Sequence, residues 1–279
     1  MISKLAEWTV SGRLPALLIA AALGFLPLLS WGSAVAVALV TLRKGATEAL
    51  WPLTGALLPA SVAWSMGDMS FAGVLIASFV GAQVLASSRQ LGWALSSIAI
   101  ISVLMAWVMR FFPENIEQLM AHYALLLEEL EKEGLALQQD AQRYVAMSLV
   151  WSSAWLGAIT LLLARWLQAR LFNPGGFQQE FHQLRLTPVW VGMLVGGIAV
   201  SQFWSAADGL MPVLVMPIIL AALGLVHGVA ALKQAGNAPL VMVYSLLALF
   251  AVAMVPLLMI AAITDSFSNY REKIAPPSA

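Results

Sequence analysis

The stretch LARWLQARLFNPGGFQQEFHQLRLTP, residues 163–188, separates two long apolar runs and fixes how the rest of the chain is read. Arg165, Arg170 and Arg185 make it basic, and Asn173-Pro174-Gly175-Gly176 has to turn. Phe177, Phe181, Leu184 and Leu186 then recur at near-helical spacing, with Gln178, Gln179, Glu180, His182 and Gln183 between them. That pattern predicts an amphipathic segment at a water boundary rather than another membrane span.

Outward from that boundary, the chain is overwhelmingly apolar. Its 279 residues are 61% hydrophobic and 10% charged, with a mean hydropathy of +0.87. Soluble domains carry about 25% charged residues. The apolar runs are continuous rather than alternating, so helices are expected and not a barrel. The fold class expected is all-α: a polytopic transmembrane helix bundle with eight or nine crossings, forming a single membrane domain over residues 1–279. Net charge is zero and no basic tract invites nucleic acid. With no cysteine, disulfides, thiolate catalysis and cysteine-ligated metals are excluded.

Residues 14–42 pose the first problem of topology. One helix over that run would measure about 43 Å against a hydrocarbon core of about 30 Å. Pro27 and the cluster Ser30-Trp31-Gly32-Ser33 offer a break, giving two short crossings or a re-entrant hairpin. Ala34-Val35-Ala36 has the look of a signal-peptide cleavage site, but the apolar run continues beyond it. Further spans are expected at about 47–65, 70–87, 91–110, 145–164, 188–205, 210–232 and 239–263.

The positive-inside rule orients this layout. With two crossings before Arg43, the inner segments hold Lys4, Arg13, Arg43, Lys44, Arg89, Arg165, Arg170, Arg185 and Lys233, which is 9 of the 14 Lys and Arg. Arg110, Lys132, Arg143, Arg271 and Lys273 fall outside, together with every acid except Glu7, Glu48 and Glu180. A single crossing before Arg43 makes the split even. The N-terminus and residues 165–187 are therefore expected in the cytoplasm of a bacterial inner membrane, with residues 111–144 on the outer face.

That outer insert carries an apolar helical stripe, Ile116, Leu119, Met120, Tyr123, Leu127 and Leu130, with its acids off the stripe. An acidic helix is poorly suited to anionic headgroups, so the stripe is expected to pack on protein. It reads either as a lid over an outward-facing pocket or as a structural outer hairpin.

Candidate chemistry is sparse. His122, His182 and His227 lie far apart in sequence, and no metal-ligand spacing occurs. No nucleophile motif or carboxylate pair stands out, so neither a catalytic residue nor a cofactor is assigned and the chain is not read as an enzyme. His227, Gln83 and Gln202 sit in spans, where interhelical hydrogen bonds account for them as well as a ligand would. The glycine turn at 173–176 lacks the lysine and hydroxyl of a phosphate loop. Trp64-Ser65-Met66-Gly67-Asp68 recurs as Trp204-Ser205-Ala206-Ala207-Asp208, each at the outer end of a hairpin. Interface-seeking tryptophans explain much of this. The sharper reading is a small-solute site of Trp64, Asp68, Gln202, Trp204 and Asp208. Pro52, Pro59, Pro212 and Pro217 could break helices beside such a site or merely kink them.

Arg165-Trp166, Asn173-Pro174-Gly175-Gly176-Phe177, Glu180-Phe181 and Leu184-Arg185-Leu186, with the hydropathy along most of the chain, resemble the YybS-like family of bacterial inner-membrane proteins. That family is distantly similar to the substrate-binding S components of energy-coupling-factor transporters. The resemblance implies a helical bundle that binds a small solute on the outer side. It also implies a partner subunit that supplies energy, met through a small-residue motif on the first helix, here Ala16 and Ala20. The functional expectation is small-solute binding or uptake. The rival is a membrane scaffold that binds other proteins and no solute.

Overall fold

The computed structural model describes residues 2–109, 111–115, 117, 118, 121, 124, 128, 132, 141–203 and 209–274, with backbone alone at residues 27 and 141–146. The regular structure of the described residues is all helical. In chain order the helices are α1 (Ile2–Ser11), α2 (Arg13–Gly24), α3 (Trp31–Lys44), α4 (Ala46–Ser65), α5 (Ser70–Ser88), α6 (Leu91–Met109), α7 (Ala141–Phe172), α8 (Gly176–His182), α9 (Pro188–Phe203), α10 (Met211–Leu232), α11 (Ala238–Leu249), α12 (Ala251–Ser268) and α13 (Tyr270–Ile274). Five of them are long and apolar enough to cross a membrane: α5, α6, α7 from Met147 onward, α10 and α12. The apolar stripe expected at Ile116–Leu130 lies outside the described residues.

Side-chain contacts define two ends of the bundle. At one, Arg13 pairs with Glu48 at 2.6 Å, the Arg43 guanidinium lies 3.9 Å from the Phe172 ring centroid, and Gln168 Nε2 donates to the Leu42 carbonyl at 2.8 Å. At the other, Asn115 Nδ2 donates to the Trp64 carbonyl at 2.9 Å, and Trp151 Nε1 donates to the Gly209 carbonyl at 2.7 Å. Helices α4, α5, α6, α7, α9 and α10 run between these charged and far ends. The central packing is of α5 on α7, with α3 against both. Small residues allow it: a Cβ on Gly157 would lie 2.9 Å from the Ala77 methyl, and one on Gly73 would lie 3.0 Å from Ser153 Cβ. Without a hydrophobic drive between helices in lipid, such close backbone approach is the main source of association.

The first apolar run is a hairpin that returns to the charged end. Arg13 opens α2 there and Gly45 joins α3 to the start of α4, with a 3-10 turn at Pro27–Leu29 between. Ser78, midway along α5, donates to the Ala34 carbonyl at 3.4 Å and accepts from Thr160 at 3.1 Å. The first turn of α3 therefore stands at mid-height of α5 and α7. The tip is made of Phe25, Leu26, Leu28 and Leu29, all exposed and apolar. Gly55 admits the hairpin against α4, since a Cβ there would collide with the Leu17 carbonyl.

The last apolar run departs from expectation. In place of one crossing over 239–263 there are two helices, broken at Phe250 with φ −133° and ψ 43°. Helix α11 starts from the charged end, where His227 of α10 meets Tyr244 at 2.9 Å. Helix α12 comes back to it, because Arg271 Nη2 donates to the Leu184 carbonyl at 2.9 Å. Arg271 and Lys273, assigned to the outer side by a single crossing, thus belong with Arg165 and Arg185. Among the described residues five helices have the length and composition of a membrane span, fewer than the eight or nine crossings expected from the sequence. The prolines break nothing at the other suspected places: α4 continues through a buried Pro52 and Pro59, and α10 through a buried Pro217.

Candidate functional site

The basic stretch is a hub at the charged end. Gly175 takes φ +85°, the left-handed conformation that glycine adopts without a Cβ penalty, and caps α8, whereas Gly176 is already helical. The turn folds α8 back on α7, so Arg165 reaches Glu180 with Nε at 2.8 Å and with Nη2 as well. Such forked pairs fix orientation as well as distance. Arg170 lies 5.3 Å from the Trp166 centroid, while Asn173 and Pro174 face outward. Phe177 stacks on Phe181 at 5.9 Å, and Phe181 meets His227 edge-on at 5.5 Å.

Two cavities flank this hub. The smaller, about 250 Å³, lies between Arg89, Arg165, Gln168 and Glu180. The larger, about 620 Å³, is bounded by Gln179, His182, Gln183 and Arg185 on one side, Gly228 of α10 beneath, and Asn269, Arg271 and Glu272 of the C-terminal segment opposite. Its volume is in the range that holds small solutes.

Arg271 frames the larger cavity. Its Nη1 donates to Asp265 Oδ2 at 2.6 Å, and its Nη2 to the Leu184 carbonyl. Its buried Nε has no hydrogen-bond partner among the described residues. Burial lowers the guanidinium pKa, and the Asp265 carboxylate opposes that shift. Asp265 also accepts from the Tyr270 amide at 2.8 Å, so one buried carboxylate ties the end of α12 to α13. A Cβ on Gly228 would lie 2.9 Å from Arg271 Nε and collide with the His182 carbonyl, so this glycine makes room for both. The His182 pKa is held below its ordinary value by burial, and then by the Arg271 cation.

Of the outer site expected from the sequence, the structure describes Trp64, Asp68 and Gln202. Trp64 meets Phe112 edge-on at 5.2 Å, and Asp68 Oδ1 accepts from the Ser70 amide at 2.9 Å, a capping role at the start of α5. Gln202, exposed near the end of α9, reaches only Ser201 Oγ at 3.4 Å. The principal neighbours of α4 are α2, α3 and α5, whereas those of α9 are α6, α10 and α12. Trp64 belongs to α4, Asp68 to the link after it and Gln202 to α9, while Trp204 and Asp208 lie outside the described residues. Ala16 and Ala20 are buried within the protein's own bundle, so they present no free face to another subunit.

The residues that complete the larger cavity, Asn269, Arg271 and Glu272, were passed over in sequence because a single last crossing carried them to the opposite side. The basic pair Arg271 and Lys273 was the available signal. No family model, curated protein or solved structure matches the chain.

Proposed function

We propose that this protein is an integral membrane subunit that binds a small polar solute in the cavity at its charged end. The observation that carries this reading is convergence: two separate parts of the chain bring polar side chains to one cavity of about 620 Å³, and a third supplies its apolar floor. Gln179, His182 and Arg185 come from one part, and Asn269 and Arg271 from another, over the floor made by Gly228. The charge distribution supports a cytoplasmic opening, since basic residues gather at that end. The resemblance of residues 165–186 to the YybS-like family supports an uptake role in the manner of an S component, with energy supplied by a partner. The site is then a cytoplasmic station for the solute rather than the outer pocket of Trp64, Asp68, Gln202, Trp204 and Asp208.

Native mass spectrometry of protein purified in lipid nanodiscs tests the reading. A small molecule retained by the wild type and lost from Ala231→Trp, which fills the cavity from an exposed position on its wall, is the expected result. Retention by both proteins would remove the cavity from the argument. A stoichiometric protein partner with no retained small molecule would favour the scaffold instead.

A further inference from the structure

We infer that the cavity between α8, α10 and the C-terminal segment is an anion site built for a phosphate group, carried either by a soluble solute or by a lipid headgroup. The inference rests on the solute-binding reading above and narrows it to a chemical class.

The charges come first. Two cations line the cavity, Arg185 and Arg271, against one acid, Glu272. The other nearby acid, Asp265, is buried behind Arg271 and saturated by it and by the Tyr270 amide. Glu272 is held by Asn269 Nδ2 at 2.5 Å. Arg185 has no ion-pair or hydrogen-bond partner among the described residues, and its neighbours Leu184 and Leu186 are buried, which anchors the backbone that carries it. A full guanidinium is thus free to engage a ligand.

The geometry selects the class. Gln179, His182, Gln183 and Arg185 offer donors from α8 and the strand of chain after it, and Arg271 from the facing side. Donors arriving from different directions suit the three outward oxygens of a tetrahedral phosphate better than a planar carboxylate, which one arginine fork would satisfy. The cavity also sits at the end of α10, against Gly228, Ala231 and Leu232. His182 completes the argument. Its ring lies 6.0 Å from His227, and burial, then the Arg271 cation, disfavour its protonation. A bound anion would reverse that balance.

Protein with 15N-labelled histidine, in phosphatidylcholine nanodiscs and phosphate-free buffer, allows the test. In one arm inorganic phosphate is added. In the other, phosphatidylglycerol replaces part of the phosphatidylcholine. The expected result is a rise in the His182 titration midpoint with a higher unfolding temperature in one arm, and that arm identifies the source. Arg185→Gln, an exposed position whose loss leaves the core intact, should weaken the effective arm about 10–100-fold, as expected for removing a charged hydrogen-bonding partner. Silence in both arms, an unchanged response in Arg185→Gln, or a response that survives Ala231→Trp would each overturn the anion site. A solute retained in the mass spectrum and lost from Ala231→Trp, with both arms silent, would remove the anion and leave the solute-binding reading standing.

Discussion

Arg271 ties two parts of the charged end together. It bridges the end of α12, through Asp265, to the coil after α8, through Leu184, and passes over a glycine to do so. The same cation bears on His182, whose pKa is lowered by burial and then by Arg271. An unfolded chain protonates this histidine near 6.5, whereas the folded chain does so only at lower pH. Between those values the unfolded state binds more protons, so stability is whole above about pH 6.5 and is lost as pH falls towards the folded value. The melting temperature should therefore drop between pH 7 and 5.5, and less steeply in His182→Gln. Titrating carboxylates contribute to both proteins, so the difference between the two slopes is the measurement. Equal slopes would mean that His182 feels neither the burial nor the cation. None of this was legible in the sequence, where His182 and Arg271 stand 89 positions apart with no shared pattern.

Elements were legible where their punctuation was. Gly45, the Asp68 link, Arg89-Gln90 and the Asn173–Gly176 turn all end or begin helices as their residue types predict. Pro27 and its neighbours announced the first break. Phe250 announced nothing: the break sits in an unbroken apolar run, with the nearest proline six residues on at Pro256. Hydropathy sees such a run as one span because it measures composition and not direction. The two hairpins have a shared consequence. Helix α11, at 12 residues, rises only about 18 Å, and α2 is no longer. Their tips, Leu28 at 88% exposure and Val252 at 93%, then lie within hydrocarbon if the charged end marks one membrane surface. Leu28→Arg tests this without disturbing packing, since Leu28 touches little of the protein. A charge near the bilayer centre costs about 2.5–3.5 kcal/mol on insertion scales, so membrane-inserted yield should fall several-fold. Yield equal to wild type would put the tip in water and restore two full crossings.

At the scale of the whole molecule, the hairpins change the charge ledger on which orientation rests. Once α12 returns to its starting end, Arg271 and Lys273 join Arg13, Arg43, Arg165, Arg170 and Arg185 at the charged end. The sequence layout had left Arg271 and Lys273 on the opposite side, so the corrected topology is more asymmetric than the one that suggested it. That is the direction in which the positive-inside rule should move when a topology is put right. Asp68, which precedes α5, stands at the far end. Under the proposed orientation, α1, residues 165–187 and α13 all face the cytoplasm. Single cysteines can be introduced freely, as the chain has none of its own. In intact cells, Ser88→Cys, Gln178→Cys and Lys273→Cys should resist a membrane-impermeant thiol reagent and react after the membrane is opened. Gln118→Cys should react from outside. Lys273→Cys labelling together with Gln118→Cys would restore a single last crossing and separate Arg271 from the cavity. If instead Gln178→Cys and Lys273→Cys both label from outside while Gln118→Cys does not, the hairpins survive and the orientation is inverted. The cavity would then open to the outer side, where an uptake subunit first meets its solute.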